Sequence, residues 1–234
     1  MHRLCLILIL FFGTFMPAAY AQDANRGHLP HPDYDAVYGY GIDLSHYNSE
    51  PDWDQLEVDF VIMKATQGTS YLDPTFNKRR EKCRAAGIPV GAYHYFTGKS
   101  SGRNEFDNYF RNVGMDIEII PVVDVEKIPQ GVKREAYLEN LRDFILAAAE
   151  AYGTMPIIYT HQEFLDNCVS EMIETNWGEY PGHLWLGDLD VDYSWFPGYP
   201  SIHQSTIKNV KGIKGKVDFD ELHRPLEELL LRKF

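Results

Sequence analysis

Cysteine is scarce in this 234-residue chain: there are three, at Cys5, Cys83 and Cys168. So few thiols exclude a small scaffold stapled by several disulfides, and the sequence alone leaves open whether Cys83 and Cys168 meet. Stability must come from a buried core, which a 44% hydrophobic composition can supply in one domain. Positive charge is also short. With 22 Lys and Arg against 34 Asp and Glu the net charge is −12, which disfavours nucleic acid as a partner. Repeats and low-complexity tracts are missing too. No apolar run reaches the ~20 residues that a bilayer-spanning helix needs. The run Leu4 to Phe12 instead has the layout of a secretory signal, with Arg3 before it and Ala19-Tyr20-Ala21 after it. Residues 1–21 are therefore expected to be a signal peptide, leaving a secreted or periplasmic protein with no stable membrane insertion. Residues 22–37, polar and holding Pro30 and Pro32, read as a flexible leader, and residues 38–234 as the folded domain.

Within that domain, strand-like runs alternate with helical ones. The expected strands are Tyr40 to Leu44, Phe60 to Ala65, Pro89 to Phe96, Ile117 to Val125, Pro156 to Thr160, Leu184 to Leu186, Ser201 to Ser205 and Lys216 to Phe219. Between them, Asp73-Pro74 reads as an N-cap and first helical residue, with Gly87 as the stop. Leu138, Leu141, Ile145, Ala148 and Tyr152 step by three and four through a helix from about Val132 to Tyr152, closed by Gly153. Such alternation predicts an α/β fold with a parallel sheet, and so many strands predict a single (β/α) TIM-like barrel, complete or not.

The most informative stretch is Pro121-Val122-Val123-Asp124-Val125-Glu126. Side chains alternate along a strand, so Asp124 and Glu126 share a face while the valines between them point away. Two acids on one partly desolvated surface repel, and one of them then keeps its proton to a higher pH, as general acid catalysis requires. A pair of solvated acids and half of a metal site are the plainer alternatives. Asp43 ends the first expected strand and Asp218 lies in the last, so a closed barrel would bring these acids together.

Tyr93, Tyr95, Tyr159 and Trp185 stand near strand ends, where an aromatic ring serves a sugar-binding groove or the core equally well. His46, His94, His161 and His203, with Asp124, raise the thought of a metal hydrolase, but no short ligand motif such as H-E-x-x-H joins them, so no metal is expected. Lys208, Lys211, Lys214 and Lys216 cluster in a Gly-rich hairpin that reads as a solvated loop.

The order of motifs resembles the glycoside hydrolase family 25 lysozymes, which are N-acetylmuramidases. The residues that carry it are Gly41-Ile42-Asp43-Leu44-Ser45-His46, Val61-Ile62-Met63-Lys64-Ala65-Thr66-Gln67-Gly68, Gly91-Ala92-Tyr93-His94-Tyr95-Phe96, Pro121 to Glu126, Ile158-Tyr159-Thr160, Leu184-Trp185, Gln204 and Gly215-Lys216-Val217-Asp218. The resemblance implies a flattened, irregular barrel that cleaves the β-1,4 bond between N-acetylmuramic acid and N-acetylglucosamine in peptidoglycan glycan strands, without metal or other cofactor. It implies Glu126 as general acid/base, Asp124 as the group that stabilises positive charge or orients the substrate's acetamido group, and Asp43 and Asp218 as flanking acids. Tyr93, Tyr95, Tyr159, Trp185 and Gln204 are the implied sugar contacts. Whether the intermediate is covalent or formed by the substrate's own acetamido group stays open. Three departures bear on the sugar contacts: Gln67 where Glu is common, Gly187-Asp188-Leu189-Asp190 after the seventh strand, and the lack of aromatics beside Gln204 in Ile202-His203-Gln204-Ser205. A catalytically silent glycan-binding barrel, a metal-dependent polysaccharide deacetylase and another glycosidase of amino-sugar polymers are the competing readings.

Overall fold

Eight apolar strand segments, most of them buried on both faces, need cover on both sides, and a sheet that closes on itself and carries helices outside provides it. The computed structural model describes residues 36–187 and 200–231, which fall within one compact unit, Asp33–Phe234. The expected signal peptide, nearly all of the expected leader, and Asp188-Leu189-Asp190 lie outside the described residues. Parallel pairing runs from β1 (Gly39–Leu44) through β2 (Phe60–Gln67), β4 (Val90–Tyr95), β5 (Val122–Asp124), β6 (Ile157–Thr160) and β7 (Leu184–Leu186) to β8 (Ile202–Asn209). β9 (Lys216–Leu222) then pairs with both β8 and β1 and closes the barrel, and the short β3 (Tyr71–Leu72) hangs from β2 outside the ring.

The all-parallel expectation therefore needs correcting at β9, which is antiparallel to both neighbours. The β8–β9 connection is a short turn with Gly212 and Gly215 at φ +85° and +93°, far too short for the crossover that a parallel strand requires. The fourth expected strand is cut down to Val122–Asp124. Pro121 has no N–H to donate, and the residues before it pair elsewhere: Ile120 N–H bonds Leu229 O at 2.9 Å and Leu231 N–H bonds Glu118 O at 2.7 Å.

Helices α1 (Phe76–Ala85), α2 (Gly102–Val113) and α3 (Arg134–Tyr152) follow β3, β4 and β5. α4 (Gln162–Phe164), a π-helical turn (Leu165–Val169) and α5 (Ser170–Trp177) follow β6, and α6 (Leu226–Leu229) follows β9. α1 starts later than expected, because Asp73 is engaged in a turn: its carboxylate accepts from the Thr75 N–H at 2.9 Å and from the Thr75 hydroxyl at 2.6 Å. α3 ends as expected, with Gly153 left-handed at φ +70°. α2 crosses α3 at Gly102, where a Cβ would come within 1.8 Å of Asn140 O, so only glycine permits the approach. That approach seals Phe96, Phe106, Tyr109 and Phe144 into one aromatic cluster beneath the two helices. Cys83 and Cys168 are both buried and unpaired, so no disulfide joins them. No helix among the described residues is long and apolar enough to cross a membrane.

Candidate active site

The C-terminal ends of the parallel strands converge on a cleft of about 270 Å³ lined by Asp43, Tyr93, Asp124, Glu126, Tyr159, His161, Trp185, Gln204 and Asp218. Eight of these nine side chains, all but His161, are ones the sequence reading named for the site, and the topology explains their meeting. Asp43, next to last in β1, lies directly opposite Asp218 of β9, and Asp124 ends β5 beside Tyr95 on β4 and Tyr159 on β6. Val125 N–H bonds Tyr159 O at 2.9 Å, which fixes the backbone that carries Glu126.

Hydrogen bonds tie one wall together. Tyr159 Oη donates to Gln204 Oε1 at 3.1 Å, and Gln204 Nε2 donates to Asp43 Oδ2 at 2.8 Å. Gly187 makes this possible, since a Cβ there would come within 2.3 Å of the Tyr159 hydroxyl. Trp185 is only 2% exposed, packs edge-on to Tyr159 with centroids 4.7 Å apart, and donates from Nε1 to Asp220 Oδ1 at 3.1 Å. It forms floor rather than an open stacking face. Tyr95 is not part of the cleft wall but stands behind it, its phenol held neutral first by burial and then by the charge of Glu126, with which it shares a hydrogen bond.

The acids are crowded and poorly satisfied. Burial, then the charges of Glu126 and Asp43, push the Asp124 carboxyl far above the usual carboxylate range, while Lys64 pulls it down. Asp124 hydrogen-bonds Glu126, yet its Oδ1 meets no donor among the described residues. Asp43 is pushed up to about 8, first by burial and then by Asp218, against the Gln204 hydrogen bond. Burial raises Asp218 as well. A fifth acid, Asp220, lies fully buried below the cleft and is raised by burial and then by Asp43. Burial and mutual repulsion at this end of the barrel thus favour protons on carboxyl groups, the condition for general acid chemistry.

Two participants escaped the sequence reading. Asp220 follows Asp218 by two residues, and the strand alternation already applied to Asp124 and Glu126 would have found it. Lys64 on β2 pairs in register with Tyr93 and so faces the same interior. Its Nζ donates to Gln67 Oε1 at 2.8 Å and lies 4.8 Å from the Tyr95 ring centre, within the field of Asp124 and Glu126. Lys64 also walls a second, larger cleft of about 440 Å³ beside the acids, which Gln67, Tyr71 and Lys99 help to line.

The histidines do not gather at the acids. His46 bonds Asp73 at 2.7 Å, His94 is buried between Thr66 and Glu105, and His161 turns Nδ1 to Gly187 O at 3.1 Å. Of these three, His161 borders the acidic cleft. Of the hairpin lysines, Lys208 lies over the Phe219 ring and Lys211 pairs with Glu57.

Known proteins resemble this chain over most of its length. It is 26% identical over 202 residues to the uncharacterized protein YegX of Escherichia coli strain K12, covering 81% of this chain and 71% of that one. Lysozyme M1 of Streptomyces globisporus is 27% identical over 207 residues, covering 81% of this chain and 69% of the lysozyme. The structure of a family 25 glycosyl hydrolase from Bacillus anthracis superposes with a TM-score of 0.71 at 26% identity, covering 86% of this chain and 96% of that one. The family model for glycosyl hydrolases family 25 matches residues 42–205, from the second residue before Leu44 to the strand that carries Gln204. Both the expected barrel and the expected family hold: the chain belongs to glycosyl hydrolases family 25 and is a glycoside hydrolase.

Proposed function

We propose that this family 25 hydrolase is an exported lysozyme, a muramidase that cuts the β-1,4 bond between N-acetylmuramic acid and N-acetylglucosamine in peptidoglycan. The observation that carries the reading is the Asp124–Glu126 pair: a buried carboxyl group whose proton affinity is raised by burial, hydrogen-bonded to a more exposed carboxyl group at the cleft. In this proposal the pair carries one proton into the reaction. Glu126, on the solvent side, passes it to the glycosidic oxygen as the bond to the leaving sugar breaks. The proton's departure leaves both carboxylates charged, and positive charge develops on the sugar ring beside them, so the ion that was costly in the resting site is stabilised at the transition state.

Asp43 and Asp218 flank the cleft, and the Tyr159–Gln204–Asp43 chain holds Asp43 in place. Glu126 then takes a proton from a water molecule as that water's oxygen bonds the anomeric carbon, which forms the new reducing end and restores the proton to the pair. Tyr93, Tyr159 and Gln204 are proposed as sugar contacts, with Tyr95 and Trp185 supporting them from behind. The likeness to Lysozyme M1 supports the same activity. Residues 1–21 are proposed as the export signal and Gln22 as the mature start, with the enzyme acting outside the cytoplasm on cell wall.

Products decide among the glycosidases. Purified peptidoglycan digested with the enzyme and reduced with borohydride should yield fragments ending in muramitol, read by mass spectrometry. Fragments ending mainly in reduced glucosamine would overturn the muramidase reading in favour of an N-acetylglucosaminidase. Deacetylated strands without new reducing ends would overturn the assignment of Glu126 as a glycosidic acid.

A further inference from the structure

One of the four histidines considered from sequence does gather with other ligand-type groups, away from the acids. His203 on β8 is paired directly with Glu221 on β9. Their neighbours Gln204 and Asp220 face the barrel interior, where they bond Asp43 and Trp185, so alternation turns His203 and Glu221 to the outer surface. His223 follows Glu221 by two residues and shares that face. Its N–H bonds Ser201 O at 3.0 Å, which carries the β8–β9 ladder one step beyond Leu222 and fixes its backbone. A nitrogen of each imidazole and a carboxylate oxygen of Glu221 all lie within 4.8 Å of one another. The two rings are tilted by 34°, with centres 6.2 Å apart.

We propose that His203, Glu221 and His223 form a binding site for a first-row divalent cation, zinc foremost, on the outer wall of the barrel. Two imidazoles and one carboxylate are a donor set that zinc accepts in tetrahedral geometry, with water in the fourth position. Calcium and magnesium prefer all-oxygen shells and fit poorly. Ligand atoms around a tetrahedral zinc stand roughly 3.4 Å apart, so separations that reach 4.8 Å here must shorten by up to about 1.4 Å, a distance on the scale of side-chain rotation. His203 and His223 are each 7% exposed, and the Glu221 side chain is 30% exposed, which leaves the ion a route in from solvent. Bound there, the cation clips β8 to β9, the strand that closes the barrel on β1. Its role is to hold the closure together, and the reaction at the acids proceeds without it.

The test uses untagged mature protein, stripped with chelator and titrated with zinc chloride. Calorimetry should show one saturable zinc per chain, and zinc should raise the melting temperature by several degrees. His203→Gln and His223→Gln should each lose the calorimetric signal and the shift. Because either variant could misfold, cobalt chloride added to the wild-type protein gives a second reading: intense visible bands report a tetrahedral site, and Glu221→Gln should remove them. Wall lysis should be equal with zinc and with chelator, which separates this site from the proposed reaction. No saturable zinc binding by the wild-type protein, binding unchanged in folded histidine variants, or a cobalt spectrum indifferent to Glu221→Gln would each overturn the proposal.

Discussion

Two places in this barrel bury carboxylates, and they treat them in opposite ways. Glu105, on α2, is fully buried, and its carboxylate accepts from the Thr97 N–H at 2.9 Å, the Thr97 hydroxyl at 2.7 Å and His94 Nε2 at 3.1 Å. Burial pushes its proton affinity up, but the bonds from His94 and Thr97 outweigh that and hold it below the usual range. Asp124, 5% exposed, has one oxygen without any donor among the described residues and a second acid as its hydrogen-bond partner. Burial is nearly the same in both; the number of donors differs. Where the acid is structural the fold supplies partners, and where we place the chemistry it withholds them, so that strain is kept at the reacting end.

The largest effects should separate the two regions. Glu126→Gln keeps the shape and removes the transferable proton, so wall lysis should fall by roughly two to four orders of magnitude, with Asp124→Asn severely impaired too. Neither should lower the melting temperature, since each takes an acid out of a crowded, poorly satisfied site. Glu105→Ala should do the reverse. It strands His94 and the Thr97 N–H and should destabilise the fold by about 3–5 kcal/mol in denaturant titration, while the folded fraction keeps its specific activity. Near-normal lysis by pure Glu126→Gln, or a stable Glu105→Ala with an inactive site, would dissolve the contrast.

The acid mouth was readable in the sequence because two periods coincide there: strand alternation sets Asp124 and Glu126 on one face, and barrel closure makes the ends of distant strands neighbours. Asp43 and Asp218 follow from the same two rules. Lys64 was not readable, because its facing depends on the β2–β4 register, including a shift between Lys64 and Thr66 that no local pattern announces. The Glu105 network was hidden for a different reason. α2 is rich in Asn, Asp and Gly, which are weak helix formers, and it is held by the Ser101 cap on Asn104 N–H at 3.3 Å and by packing on α3. Local propensity argues against that helix, and tertiary contact overrides it.

Stability against pH should show both regions in one curve. Asp43 sits at about 8 when folded against 3.8 as a free side chain, so the folded state binds more protons across that window. Its contribution is fully present below about pH 4 and is lost as pH rises through about 8. Glu105 and Asp73 are lowered, so theirs is present above the ordinary carboxylate range and lost in acid. The melting temperature should therefore peak in mildly acidic solution and fall on both sides. Asp43→Asn should flatten the alkaline fall and Glu105→Gln the acid one. A melting temperature that climbs steadily from mildly acidic to alkaline pH would show that the mouth does not store protons.

The smallest expected effect is the sharpest test of what sets the proton on Asp124. Among the described residues, Lys64 is the cation that pulls this carboxyl downward, against burial and two neighbouring acids. It is itself half-buried and lowered by burial first, with Asp124, Asp73 and Glu126 opposing that. Gln67, which accepts its hydrogen bond, is neutral and does not consume its charge. Lys64→Met keeps the length of the stem over Tyr95 and removes the charge, so the proton should stay on the Asp124–Glu126 pair to higher pH. The alkaline limb of the pH–rate profile should then move up by a fraction of a pH unit to about one unit, the range expected for a single charge in a partly solvated cleft. Gln67→Glu should produce the same displacement more weakly, by giving Lys64 a partner of its own. A limb that stays put in both variants, or moves to lower pH, would show that burial alone governs the pair and that Lys64 serves only the neighbouring cleft.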